Sequence, residues 1–318
     1  MNKILVFVVL ILVPIAIFTT PDEDGEVDLN VDQVSFEMPI SGEEKKEGNE
    51  EVIQVSLSMN ADKSEAFMMD LEDYVIGVVA GEMPASFNME ALKAQAVAAR
   101  SFALYKMDVI DDYVLSTNIN DQVYITEDEM KEKWQDDFSY YYNRVKEAVL
   151  ATEGEVLTYE GDIAATYYFA ISNGYTDDAL TVFSEDKDYL VAVESPWDKN
   201  YQSYASTYTL SKSSFCSKLN ISCEDLIISD LVRADNHYVR QININGTTFT
   251  GLEVFQKLNL KSADFSITEN ESDIVITTLG FGHGVGMSQY GAQGMASSGY
   301  NYQEILAHYY QDTEINKL

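Results

Sequence analysis

The chain has 318 residues, of which 46% are hydrophobic and 12% aromatic. That is enough apolar material for one large domain or two modest ones, and too much for a disordered tail. Its 53 acidic and 20 basic side chains give a formal net charge of -33, a field that repels phosphate backbones and anionic headgroups wherever salt does not screen it. Nucleic acid is therefore excluded as the expected partner, and neutral or lightly charged glycan is an easier substrate than a polyanion, which would need a local basic cleft.

Residues Ile4 to Phe18 are apolar throughout, preceded by Lys3 and followed by Pro21-Asp22-Glu23-Asp24. The run is near the lower limit for a spanning helix, roughly 17 to 25 residues, and no Ala-x-Ala cleavage site follows it. Residues 1–20 are expected to form an uncleaved membrane anchor, with a cleaved signal peptide as the alternative; the flanking charges keep the amino terminus inside and the rest outside. Residues 21–68 are rich in Glu, Asp, Asn, Ser and Lys and read as an acidic flexible linker, although Val52 to Leu57 alternates like a strand. Residues 69–318 form the expected extracytoplasmic domain.

Leu71, Tyr74, Val75, Val78 and Val79 fall at helical spacing and lead into Gly81-Glu82-Met83-Pro84, where a helix must stop. Asn88 to Met107 reads as a second helix, with Asn88 as its cap, Glu90 in its first turn and a body of alanines that packs closely on neighbours. Further helices are expected over Asp128 to Leu150 and Tyr302 to Gln311. Strands are expected over Glu155 to Tyr159, Ala165 to Phe169, Val239 to Ile244 (closed by the hairpin turn Asn245-Gly246) and Ile274 to Leu279. With no fixed repeat, the pattern predicts an α+β fold: mixed helices and antiparallel strands around a substrate cleft, preceded by a transmembrane helix and a disordered tether.

Several groups bear chemistry. Glu82 follows the apolar run Val75 to Ala80, so its carboxyl is either a desolvated general acid or simply an acidic residue favouring the start of the next helix. Lys93 and Arg100, nearly two turns apart, share a helix face and either point across a cleft at Glu82 or a substrate carboxylate, or pair with carboxylates elsewhere. An arginine against Glu82 would lower its pKa and oppose the acid role. Gly280-Phe281-Gly282-His283-Gly284-Val285-Gly286 implies a backbone approached closely by a ligand or by another segment. His283 either donates to sugar hydroxyls or fixes the loop through carbonyls, and Met287 to Gly294 offers amide and phenol groups of the kind that bind sugars or an ordinary packing helix. No G-x-S-x-G elbow is present, and neither cysteine has a motif around it. Cys216 and Cys223 lack histidine neighbours, so no zinc or other cofactor is expected; an outside location permits, without requiring, a disulfide between them.

Taken together, Val79 to Pro84, Glu90 to Ser101 and Gly280 to Gly294 resemble the stage II sporulation protein D family, with further similarity at Gln122-Val123-Tyr124, Ser172 to Thr176, Tyr189-Leu190 and Ser195 to Asp198. The likeness covers roughly Met69 to Ile315. It implies a lytic transglycosylase acting on peptide-stripped peptidoglycan strands at the mother-cell membrane during engulfment, alongside an amidase/endopeptidase and a membrane scaffold. Residue by residue, it implies that Glu82 is the catalytic glutamate and Arg100 the essential arginine. Lys93, Gln122, Tyr124, Ser172, Asn173, Tyr175, His283, Gln289 and Tyr290 are then the expected substrate-side residues. Zinc-holding relatives use a Cys/His pair that Ser116 to Asp121 and Ser172 to Thr176 lack here, so the resemblance implies a metal-free member.

Rival readings are a hydrolase with a second carboxylate drawn from Asp70, Glu72, Asp73 or Glu90, a non-catalytic wall-binding enhancer of an amidase, and an adhesion domain. The last leaves the Glu82/Arg100 pattern without a reason.

Overall fold

The computed structural model describes residues 52–60, 63 and 65–318. The expected anchor, residues 1–20, and most of the linker lie outside them. Among the described residues, no helix is long and apolar enough to cross a membrane.

The folded body starts upstream of residue 69. Gln54–Ser58 is a strand, paired antiparallel with Phe67–Asp70 and parallel with Leu115–Ser116, and Val55 and Leu57 on it are fully buried. Composition places this stretch in the linker; the period-two alternation of Val52 to Leu57, which sets apolar residues on one face, is the signal that holds.

The main core is built on helices α1 (Leu71–Glu82) and α2 (Met89–Val109). Asn88 caps α2 as expected, its side chain accepting from the Glu90 N–H at 3.0 Å. Ala91, Ala94, Ala96, Ala98, Ala99 and Ala103 are fully buried, and their small side chains let α2 lie at the centre, touching α1, α4 (Phe138–Leu150), α8 (Gln289–Ser297), α9 (Tyr302–Tyr309) and the strand Glu155–Tyr159.

The single helix expected over Asp128 to Leu150 is two. A Thr126/Glu129 capping box starts α3 (Glu127–Trp134), Gln135 takes φ 45°, a 3-10 turn spans Gln135–Asp137, and α4 restarts behind Asp136 and Asp137, acidic residues that favour a helix start. Of the strand expected over Ala165 to Phe169 only Tyr168–Phe169 forms, and it pairs parallel with Met287–Ser288. Antiparallel pairing otherwise prevails, apart from the parallel Leu115–Ser116 contact.

Residues 205–279 form a second lobe. One antiparallel sheet orders Phe265–Glu269, Asp273–Leu279 and Ala205–Ser211, with Tyr208 opposite Ile276; the other orders Thr247–Thr250, Val239–Ile244 and Ile228–Arg233. Asn245 and Gly246 turn the hairpin with φ 51° and 77°, as the dipeptide predicts. Past the short helix α5 (Ala179–Phe183), α6 (Lys212–Leu219) and α7 (Gly251–Leu258) complete a separate core around Phe215, Ile242, Phe255 and Ile276. Cys216 and Cys223 are bonded on the edge of this core.

The glycine run carries the chain back from this lobe. Gly280, Gly282, Gly284 and Gly286 all have positive φ, and what approaches them is protein: Phe281 and Ile171 exchange backbone hydrogen bonds, the Asp177 N–H donates to Gly284 O, and a Cβ on Gly286 would meet Tyr167 O.

Candidate active site

Helix α1 ends where Pro84 cannot donate to Ala80 O. The Lys133 ammonium of α3 takes that orphaned carbonyl at 2.8 Å, which puts a cation close enough to act on Glu82. On the adjacent face of α1, Gly77 and Gly81 leave room for residues 123–125: side chains there would run into the Tyr124 ring and the Val123 carbonyl. That close approach lets the Ile125 N–H donate to Gly77 O and the Val123 N–H donate to Glu82 Oε1 at 2.6 Å. Gln289 at the start of α8 brings its amide Nε2 within 3.5 Å of Glu82 Oε2 and 3.4 Å of Gln95 Oε1.

Glu82 keeps a partly open face, yet burial pushes its carboxyl up to about 7 against the opposing pull of the Val123 N–H, Gln289 and Lys133. The phenols of Tyr74 and Tyr168 lie close enough to feel its charge, and burial holds both well above the ordinary tyrosine range. Gln122 ties this wall together: its Nε2 donates to Tyr74 O–H at 3.0 Å and Ala99 O at 3.3 Å, and its Oε1 accepts from Tyr168 at 2.8 Å.

Other expected site residues lie elsewhere. Arg100 is fully buried, donating from Nε and Nη2 to both carboxylate oxygens of Glu72 at 2.8 and 2.5 Å and from Nη1 to Glu155 O at 2.9 Å. Glu72 and Glu82 are ten residues apart on α1, about 15 Å along the axis. Arg100 is therefore a buried strut, and the expected conflict between an arginine and a raised Glu82 pKa does not arise. Lys93 pairs with Glu90 at 2.8 Å beside the Tyr302 ring.

Gln122 is buried with its amide committed to the protein, and Tyr124 is half-buried, stacked on Tyr74 with centroids 5.8 Å apart. Ser172 and Asn173 are buried too. The Ser172 N–H and Oγ bind Asp198, which also accepts from Ser195 and Ser288; Asn173 donates to Asn236 O and Asp264. Tyr175 packs edge-on to His237.

His283 is a loop fixer. Its Nδ1 accepts from the Val285 N–H, which leaves Nε2 to donate to Tyr168 O at 3.0 Å, and burial lowers its pKa to about 4. The arrangement around Glu82 thus unites Gln289 and, through α8, Tyr290, whose ring meets Phe87 edge-on at 5.0 Å and Tyr201 at 4.5 Å.

Sequence reasoning missed Lys133 and Tyr168. Lys133 sits among Glu129, Glu132, Asp136 and Asp137 in sequence and looks like helix surface, whereas Pro84 was the one local signal that a carbonyl nearby needed a donor.

No described group of His, Cys, Asp and Glu is arranged to hold a metal. Glu72 and Glu90 are spent on Arg100 and Lys93, Asp70 accepts from Gln54, and Asp73 is exposed on α1, nine residues and about 13 Å from Glu82. The site is a single buried-side carboxyl, ionising near neutrality, held by amide donors on the main body of an α+β fold. A carboxyl in that range can both give and take a proton near neutrality.

The family model described as "Stage II sporulation protein" matches residues 61–159. Stage II sporulation protein D of Bacillus amyloliquefaciens is 40% identical over 260 residues, covering 78% of this chain and 74% of that protein; its counterpart from Bacillus subtilis strain 168 is 39% identical over the same share. A Bacillus subtilis protein named "Amidase enhancer" is 27% identical over 75% of this chain and 40% of its own length. The chain belongs to the stage II sporulation protein D family.

Proposed function

We propose that the chain is a peptidoglycan lytic transglycosylase that cleaves MurNAc–GlcNAc bonds of peptide-stripped strands during engulfment, held at the mother-cell membrane by its amino-terminal segment. The observation that carries this reading is a lone carboxyl raised to about 7 with the candidate second carboxylates engaged or distant. A hydrolase of the usual kind places two carboxyls about 5 or 6.5 to 9.5 Å apart; one suffices when the attacking oxygen belongs to the substrate.

In the proposed cycle, protonated Glu82 gives its proton to the bridging oxygen as the C1–O bond breaks. The carboxylate then removes the MurNAc O6 proton as O6 bonds to C1, which closes a 1,6-anhydro ring, regenerates the acid and consumes no water. The Val123 N–H holds Oε1 so that Oε2 is the working oxygen, and Gln289 can follow it as charge develops. A proton donor with pKa near the working pH is the efficient choice.

The name of the amidase enhancer supports a second reading, in which the domain binds wall and stimulates another enzyme. The test is mass spectrometry of products after the full-length chain, wild type and Glu82→Gln, is incubated with stripped strands. Anhydro-MurNAc ends from wild type alone support the transglycosylase, reducing ends indicate a hydrolase, and cutting indifferent to Glu82, or absent, favours the enhancer.

A further inference from the structure

Three of the four arginines are matched to carboxylates: Arg100 to Glu72, Arg233 to Asp264 and Arg240 to Asp177. Arg144 on α4 is the exception. Among the described residues its guanidinium meets no carboxylate. Nε donates to Ala85 O at 3.0 Å and Nη2 to Phe87 O at 2.6 Å, and the group lies over the Tyr140 ring, Cζ to centroid 5.7 Å. In a chain of 53 acidic and 20 basic residues, an arginine left without a counter-ion is available to an anion from outside.

Its position is set by those two carbonyls. Ala85 and Phe87 belong to the turn that leaves Glu82, and the Phe87 ring touches Tyr290, the neighbour of Gln289. Arg144 thus borders the rim of the Glu82 site without being among the groups that depress that carboxyl. A guanidinium has five N–H donors; two are spent here, leaving both hydrogens of Nη1 and one of Nη2 in the fork that fits a carboxylate bidentately. Beside it Tyr140, which Tyr141 meets edge-on at 5.2 Å, is still 61% exposed.

We propose that Arg144, presented on α4 beside Tyr140, is a subsite that reads the lactyl carboxylate of an N-acetylmuramic acid residue adjoining the bond to be cut. This rests on the glycan-cleaving reading above and adds what selects the strand. With a stem peptide attached, the lactyl group is a neutral amide and cannot form the charge-assisted pair; hydrolysis of that amide exposes the carboxylate. The preference for stripped strands then becomes a matter of one charge.

The experiment compares two forms of one substrate: stripped strands with free lactyl carboxylates, and the same strands with those groups capped as methylamides. For the full-length wild type, capping should raise KM roughly tenfold or more, the size expected for a charge-assisted contact. Arg144→Gln should show the raised KM on free strands and no further rise on capped ones, whereas Arg144→Lys should keep part of the preference. A merely structural role at the turn after Glu82 would alter both substrates alike. Equal wild-type KM on the two strands, or an unchanged preference in Arg144→Gln, overturns the proposal.

The same comparison by binding, in a Glu82→Gln background, separates the two readings. Carboxylate-dependent binding that needs Arg144 sustains the subsite even if no cutting is found. Cutting without discrimination leaves the transglycosylase standing and removes the subsite.

Discussion

Glu82 carries a raised pKa because its carboxyl is desolvated, and the Val123 N–H, Gln289 and Lys133 offset that only in part. In the proposed role of general acid it must be protonated, so the rate should fall as pH rises through about 7. Lys133→Met removes a charge that lowers this pKa, so the limb should move to higher pH; a pH–rate profile of the variant reads the direction. Glu82→Gln should cut activity by roughly 10²- to 10⁴-fold, the usual worth of an acid/base group, measured as anhydro ends released per unit time.

A carboxyl whose folded pKa is raised contributes stability that is complete below its unfolded pKa and is lost as pH rises through the folded value. At pH 8 the native state holds a desolvated carboxylate, so Glu82→Gln should melt at a higher temperature than wild type there and show little gain at pH 4. Equal shifts at both pH values would count against a buried, titrating Glu82.

At the scale of elements, α1 carries two unlike ends. Its first turn binds Arg100 through Glu72 and its last presents Glu82, and the glycines between admit the 123–125 segment. Gly81→Ala would drive a methyl into the Val123 carbonyl. It should cost about 1–3 kcal/mol as an overpacking change and move the N–H that holds Glu82, so calorimetry and activity should both register it. Arg100→Met strips a buried pair and should destabilise by about 3 kcal/mol, while the protein that remains folded keeps the wild-type pH limb; loss of that limb would return Arg100 to the chemistry.

Much of this layer was legible. The stop at Met83-Pro84, the Asn88 cap and the alanine face of α2 follow from local sterics and hydrogen bonding. The break at Gln135 was not, because the apolar residues on both sides keep helical spacing and only their packing on the core separates α3 from α4.

For the whole molecule, Glu82 sits on the main core and the disulfide on the other. Closing the short Cys216–Cys223 loop is worth roughly 2–3 kcal/mol in the chain-entropy account. The paired serine variant should therefore lower the melting temperature, and Glu82-dependent cutting should persist at temperatures where the second lobe is folded.

By itself the sequence determined that the chain is an acidic α+β protein, where α1 ends and α2 begins, that Glu82 follows an apolar run, and which family its motifs resemble. Each of these rests on neighbours within a turn or two. Tertiary structure alone decided which partner each distant cation meets: Arg100 went to Glu72, Lys133 to the Ala80 carbonyl at the end of α1, and Arg144 to the carbonyls of the turn beside Glu82. It also decided that the glycine run cradles backbone and that His283 stays neutral. Those outcomes depend on desolvation and on distances between residues far apart in the chain, and a charge has no fixed partner until folding removes the water around it.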